Sequence, residues 1–312
     1  MDDRAGMEDG RSSAPARQGL RRRLQRGAVN RHAIGMGAGR ILFAAVMIGL
    51  GIRGLAYGDL ASVWQRMPIA HLSARPLIAH ACAVAELLIG MGLLWRRTIA
   101  TASALATLFL LLWVVLLKIP PVLAAAQIEA SWLGLGEIAV MLSGSWILFA
   151  VHAGSWARNH LAWAVGTGGI GWARRLLVLA LPTIGLAHFV YADATVALIP
   201  AWMPCRYALV YLTGAGNFAA SLGILFSVMP RLAAAAEAAM LSAITVVVWL
   251  PGLIAAPTDA TWTPFLISMG IASGVWLVAD SYLAGAWFEV GPGARVAHDE
   301  PDRDAAMTAR RG

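Results

Sequence analysis

The sequence predicts an all-α, polytopic membrane protein of about eight transmembrane helices, arranged as two parallel four-helix repeats. Three observations predict it. Hydrophobic residues make up 59% of the 312-residue chain and charged residues only 13%, whereas an ordinary soluble domain carries roughly a quarter charged residues. Eight apolar runs are long enough to cross a bilayer core, which takes about 17 to 25 residues of helix. Features of the first four runs then recur, in order, in the last four.

The elements follow along the chain. Residues 1–39 mix Arg, Asp, Gly, Ser and Pro with no apolar stripe, so they are expected to form a disordered, basic, cytoplasmic arm. Nine arginines, from Arg4 to Arg40, carry most of the net charge of +7. Beside a membrane span such an arm orients the protein and touches anionic lipid, so the lipid bilayer is the expected partner and nucleic acid is not. Arg21-Arg22-Arg23 precedes an apolar run that begins only at Ile41 and is followed by no Ala-x-Ala site. That run therefore reads as a retained span rather than a cleaved leader.

The runs lie at 41–57, 78–95, 98–117 and 132–152, then at 175–192, 207–227, 232–253 and 264–284. Pro182 predicts a kink within the fifth. The organisation expected is a first four-helix unit over 40–155, a cytoplasmic linker over 156–174, a second unit over 175–285 and a disordered tail over 286–312. Gly166-Thr-Gly168-Gly-Ile-Gly171 matches a dinucleotide-loop pattern, but no strand precedes it. It is read as flexible linker.

Orientation follows from the cations. With the amino terminus inside, 19 of the 24 Lys and Arg fall on that side, four (Arg66, Arg75, Lys118, Arg206) fall outside, and Arg53 lies within the first span. This bias predicts both termini cytoplasmic.

Repetition is read from matched positions. Tyr57-Gly58-Asp59 after the first span answers Tyr191-Ala192-Asp193 after the fifth, and Glu86 through Leu94 answers Asn217 through Leu225. Arg97 matches Arg231, and Trp113 and Trp249 sit late in the third and seventh spans, near a following Pro120 or Pro251. Ser143-Gly144 and Ser273-Gly274 occupy the same offset between paired tryptophans. Even-numbered repeats insert with the same orientation, so the halves should be related by an axis along the membrane normal.

Ionisable residues inside spans mark candidate sites, because a charge at the bilayer centre is costly. Arg53, Glu86 and Glu137 belong to the first half, and an Arg53–Glu137 or Arg53–Glu86 pair is expected. Cys82, Ala83, Glu86 and Gly90 share a helical face whose repeat partners are Thr213, Gly214, Asn217 and Ser221. With His188, the residues Arg53, Glu86, Glu137 and Asn217 form a candidate polar pocket toward the outer side. Two readings stand together: a site for a quinone carbonyl, an anion or a proton, or a buried ion pair that locks helices. No catalytic residue is assigned. No metal or haem site is expected either, since only His80 and His188 lie at matching depth and no ligand spacing accompanies them. Cys82 and Cys205 form no redox or zinc motif. The thirteen tryptophans fit an interfacial belt.

Ala187-His188-Phe189, Ile199-Pro200-Ala201-Trp202-Met203-Pro204, Tyr211-Leu212-Thr213-Gly214 and Leu222-Gly223-Ile224-Leu225 resemble the bacterial DoxX-like family of small four-helix membrane proteins. Gly39-Arg40-Ile41-Leu42-Phe43, Ala85 through Gly90 and Gly92-Leu93-Leu94 resemble it more loosely. The resemblance spans about residues 39–285 and implies a tandem DoxX-like protein of the bacterial inner membrane. It further implies an accessory subunit of a quinone-linked redox or oxidative-stress system, with quinone as cofactor and a soluble oxidoreductase or respiratory subunit as partner, rather than a stand-alone enzyme. Asn217 departs from the carboxylate that Glu86 retains. A small-solute or ion transporter and a non-catalytic scaffold are the rival expectations.

Overall fold

The structure, a computed structural model, describes residues 37–61 and 73–291. Among these residues the secondary structure is helical apart from an isolated bridge between Val228 and Val290. Eight helices are long and apolar enough to cross a membrane: α1 (Gly37–Tyr57), α2 (Arg75–Leu94), α3 (Ile99–Ala124), α4 (Glu129–His152), α5 (Gly166–Val190), α6 (Arg206–Leu225), α7 (Pro230–Ala255) and α8 (Asp259–Asp280). The chain is an all-α, multi-pass membrane protein.

Several helices outrun the apolar stretches that announce them. α3 and α7 continue through Pro120-Pro121 and Pro251 because each inserts a π-helical turn first, Val114–Lys118 and Thr245–Trp249. There the Ile119 N–H reaches back to the Val114 carbonyl and that of Leu250 to Thr245. The wider turn leaves room for a proline ring that would otherwise strike the carbonyl four residues earlier. α8 begins at Asp259, where Thr258 and Thr261 form a reciprocal cap.

The expected linker is mostly helix. Ser155–His160 forms a short helix and α5 starts at Gly166, so only 161–165 connect them. The glycine pattern forms the first turns of α5 instead of a flexible loop. A Cβ on Gly169 would meet the Ala164 carbonyl oxygen at 2.1 Å, so glycine here serves close backbone approach.

Most of the expected disordered arm and tail lies outside the described residues. At their inner edges the expectation is corrected: residues 37–39 open α1, and Glu289 and Gly291 bond back to Met229 and Ser227.

Consecutive helices pack in sequence from α1 to α8, α8 returns to α1, and α4 crosses α8 in the middle. These two central helices bury 78% and 72% of their apolar stretches, against 50% or less for the other six. Their crossing is a backbone contact, since a Cβ on Gly144 would sit 2.6 Å from the Gly274 Cα. The result is two lobes that share α4 and α8.

Some contacts recur in the two lobes. A Cβ on Gly92 would meet Ala102 at 2.9 Å, and one on Gly223 would meet Ala233 at 3.0 Å. Gly90 abuts the Ala44 carbonyl, whereas Ser221 in the corresponding place donates to the Val178 carbonyl at 2.7 Å. The π turns of α3 and α7 each end two residues before a proline, Pro120 and Pro251.

Candidate functional site

The bundle has two unlike ends. At one lie Arg40, Arg96, Arg97, Arg158, Arg174 and Arg231. There Arg40 donates to the Leu93 carbonyl at 3.2 Å, Arg231 to that of Gly285 at 2.8 Å, and Arg158 to that of Ala153. Arg174 bonds the Ser281 hydroxyl at 2.9 Å and lies over the Tyr282 ring. These arginines meet carbonyls at or just beyond helix C-termini, where the backbone is electron-rich and short of partners.

The opposite end carries Asp59, Glu129, Asp193 and Asp259, and the sequence-predicted cluster lies toward it. Arg53, 6% exposed, grips Asp259 of α8 with both arms of its guanidinium, Nε to Oδ1 at 2.6 Å and Nη2 to Oδ2 at 2.8 Å. Its third nitrogen donates to the Asp59 backbone carbonyl. Arg75 holds the Asp59 carboxylate at 2.8 Å, and Thr263 donates to Asp259 at 3.1 Å. Bidentate guanidinium–carboxylate pairing is strong and fixes geometry.

The expected partners of Arg53 were Glu86 or Glu137, and neither forms the pair. Depth explains the correction. Arg53 lies four residues from the end of α1, about 6 Å deep, whereas Glu137 is eight residues inside α4, about 12 Å, and Glu86 eleven inside α2, about 16 Å, at ~1.5 Å per residue. Asp259, the first residue of α8, lies nearer the outer end than Arg53, within reach of the long arginine side chain. Glu86 stays within electrostatic range of Arg53.

Glu86 lines a cavity of 20 Å³ with Met47, Phe109, Trp113, Ile138 and Met141. The buried Trp113 indole N–H makes no close hydrogen bond among the described residues but interacts with the Cys82 thiol. The space suits about one water molecule. A quinone ring is too large to fit it.

Glu137 finds a different neighbour. Lys118, 7% exposed in the π turn of α3, attracts it electrostatically, and Glu129 at the start of α4 lies in range of the same carboxyl. Neither Glu129 oxygen has a partner among the described residues. In the sequence, Glu129 stands three residues before Trp132 as Asp259 does before Trp262, and Ala187 stands four before Tyr191 as Arg53 does before Tyr57. The second lobe keeps the carboxylate and lacks its cation.

His188 and Asn217 do not join the Arg53 cluster. His188 turns Nδ1 to the Ile184 carbonyl of its own helix at 2.9 Å. Asn217 is fully buried and donates to the Thr213 carbonyl at 3.0 Å, with its side chain against Gly185. It fills the place of Glu86 as a packed polar contact. Among the described residues no three His, Cys, Asp or Glu side chains gather as a metal site.

Sequence reading missed Asp259 and Glu129, which it placed in loops, and Lys118, which it placed beyond the span. It also missed Glu237, 3% exposed in α7 with Oε1 unpartnered among the described residues. The signal for Glu237 was available, since it is the sole charge in the run 232–253.

A family model described as a domain of unknown function (DUF8561) matches residues 177–264. The match runs from α5 to the first turns of α8, taking in His188, Asn217 and Glu237 and leaving out the Arg53 and Glu86 side of the molecule. No curated protein and no solved structure matches the chain.

Proposed function

We propose that this chain is a tandem DoxX-like protein of the bacterial inner membrane, with repeats over 40–155 and 175–285, both termini cytoplasmic, serving as a non-transporting accessory subunit of a quinone-linked redox or oxidative-stress system. The family assignment rests on the sequence motifs, since the matching family model carries another description. The tandem reading is supported by the paired π turns and by the matched Gly92–Ala102 and Gly223–Ala233 contacts.

The observation that carries the accessory role is the closed centre. Where a transporter of parallel repeats holds its solute between the halves, α4 and α8 here touch backbone to backbone at Gly144 and Gly274. The Arg53–Asp259 pair ties the first lobe to the last helix. In this reading the polar cluster is a lock, and redox chemistry belongs to a soluble oxidoreductase or respiratory partner.

The test is respiration by inverted vesicles together with co-purification from native membranes. The proposal expects a redox subunit to accompany the protein, and deletion of the chain to lower quinone-dependent oxygen uptake while Glu86→Gln leaves it intact. Unchanged uptake on deletion, with no redox partner recovered, would overturn it. The transporter reading draws on the Glu86 cavity between spans. It requires solute-dependent uptake in proteoliposomes that Glu86→Gln abolishes.

A further inference from the structure

Away from the Arg53 cluster, the seam between α6 and α7 forms a groove of about 510 Å³ on the side of the bundle. Its walls are small residues, Gly216, Ala219 and Gly223 from α6 with Ala233 and Ala236 from α7. Its rim is apolar and faces outward: Phe226 is 65% exposed and Leu222 50%. The groove therefore opens sideways along the apolar stretches of α6 and α7, with one end at the turn over 226–229 that joins them.

At its floor is Glu237, seven residues into α7 and about 10 Å from the helix start at ~1.5 Å per residue. It is 3% exposed, it lines the groove, and its Oε1 has no hydrogen-bond partner among the described residues. The corresponding residue of the first lobe is Ala106, fully buried. A carboxyl group where alanine would pack is costly unless something donates to it. Small walls, a lateral apolar mouth and one unsatisfied acceptor are the features of an amphiphile site, and the volume lies in the ~300–1,000 Å³ range of small-molecule pockets.

We propose that this groove binds a membrane-soluble alcohol, its hydrocarbon lying along the small-residue walls and its hydroxyl donating to Glu237. The donor count favours a hydroxyl. An ammonium brings three N–H groups, and among the described residues Glu237 is the one polar side chain lining the groove, so with two carboxyl oxygens at least one donor would be stranded. A hydroxyl brings a single donor, which one carboxyl oxygen of Glu237 can accept.

The experiment uses the full-length protein in lipid nanodiscs with two photoreactive probes of equal chain length, a diazirine-bearing hexadecanol and the matching diazirine-bearing hydrocarbon. Crosslinks are mapped by mass spectrometry. The hydroxylated probe should label the segment 216–237 about five-fold more than the hydrocarbon, the advantage expected of one net hydrogen bond. Glu237→Gln, which keeps an acceptor oxygen, should retain that preference, and Glu237→Leu should lose it. Ala233→Phe should block labelling by both probes. Equal labelling by the two probes, or a Glu237→Leu variant that still prefers the alcohol, would overturn the proposal. Should Ala233→Phe fail to fold, the Gln and Leu variants decide the matter alone. A diazirine-bearing hexadecylamine that labels in preference to the alcohol, and loses its labelling in Glu237→Gln, would replace a hydroxyl ligand by a cationic one.

Discussion

Truncating either partner of the Arg53–Asp259 pair should have unequal effects, because the side chains are 5% and 43% exposed. Asp259→Leu leaves a guanidinium in the apolar interior and should cost about 3 kcal/mol, near the low end for a broken buried pair. Arg53→Met leaves a carboxylate that water can reach and should cost about 1 kcal/mol. The double variant should recover much of the difference, read as thermal midpoints in one detergent; additive losses would mean that the two side chains are not coupled. Glu129 offers the converse case. Replacing this unpartnered carboxyl with leucine should raise the midpoint, in keeping with the ~1–3 kcal/mol that an unsatisfied buried polar group costs. Arg53 and Glu86 were legible in the sequence because each is a charge inside an apolar run. Asp259 was not, because Pro257 and Thr258 before it and Pro264 after it resemble a loop, whereas Pro264 sits inside the helix.

The helices themselves were legible in number and order, since eight apolar runs became eight spans, but their ends were not. Hydropathy reports where apolar side chains stop; the backbone goes on while its hydrogen bonds can be made. That is why α3 and α7 cross their prolines and why α5 recruits a glycine-rich segment. The π turns can be tested directly. Deleting Val115 should remove the extra residue of the wide turn, restore the ordinary ladder and set the Pro120 ring against the Leu116 carbonyl. Loss of the folded protein on size-exclusion chromatography is expected, and a variant that elutes and melts as the parent does would show that the turn is dispensable. At the α4–α8 crossing no side chain can yield, because a Cβ on Gly144 meets the backbone of Gly274 at 2.6 to 3.1 Å. Gly144→Leu should therefore lower the thermal midpoint far more than Gly37→Leu, where a Cβ would meet nothing within 4 Å.

For the whole molecule, the repeat pattern anticipated two parallel four-helix halves with the charged residues concentrated in the first. In the structure α8 packs against α1 and α4 against α5. Two co-expressed fragments cut between His160 and Leu161 should consequently co-purify, and independent elution would contradict the shared centre. A reporter joined after Gly312 should behave as cytoplasmic; a periplasmic result would invalidate the orientation proposed from the arginines. What the sequence could not disclose is how α4 and α8 are divided between the lobes, because a helix apolar on most of its surface gives no sign of which neighbours it will meet.

The contact between the first and last spans has one more consequence. A Cβ on Gly39, near the start of α1, would lie 3.0 Å from the Asp280 carboxylate at the end of α8, so the backbone leaves the bilayer beside the point where it entered. In connectivity the eight helices form nearly a closed circuit. A permuted chain that starts at Ser155, with Asp280 joined to Gly37 by a short flexible segment, should assemble the same eight-helix circuit.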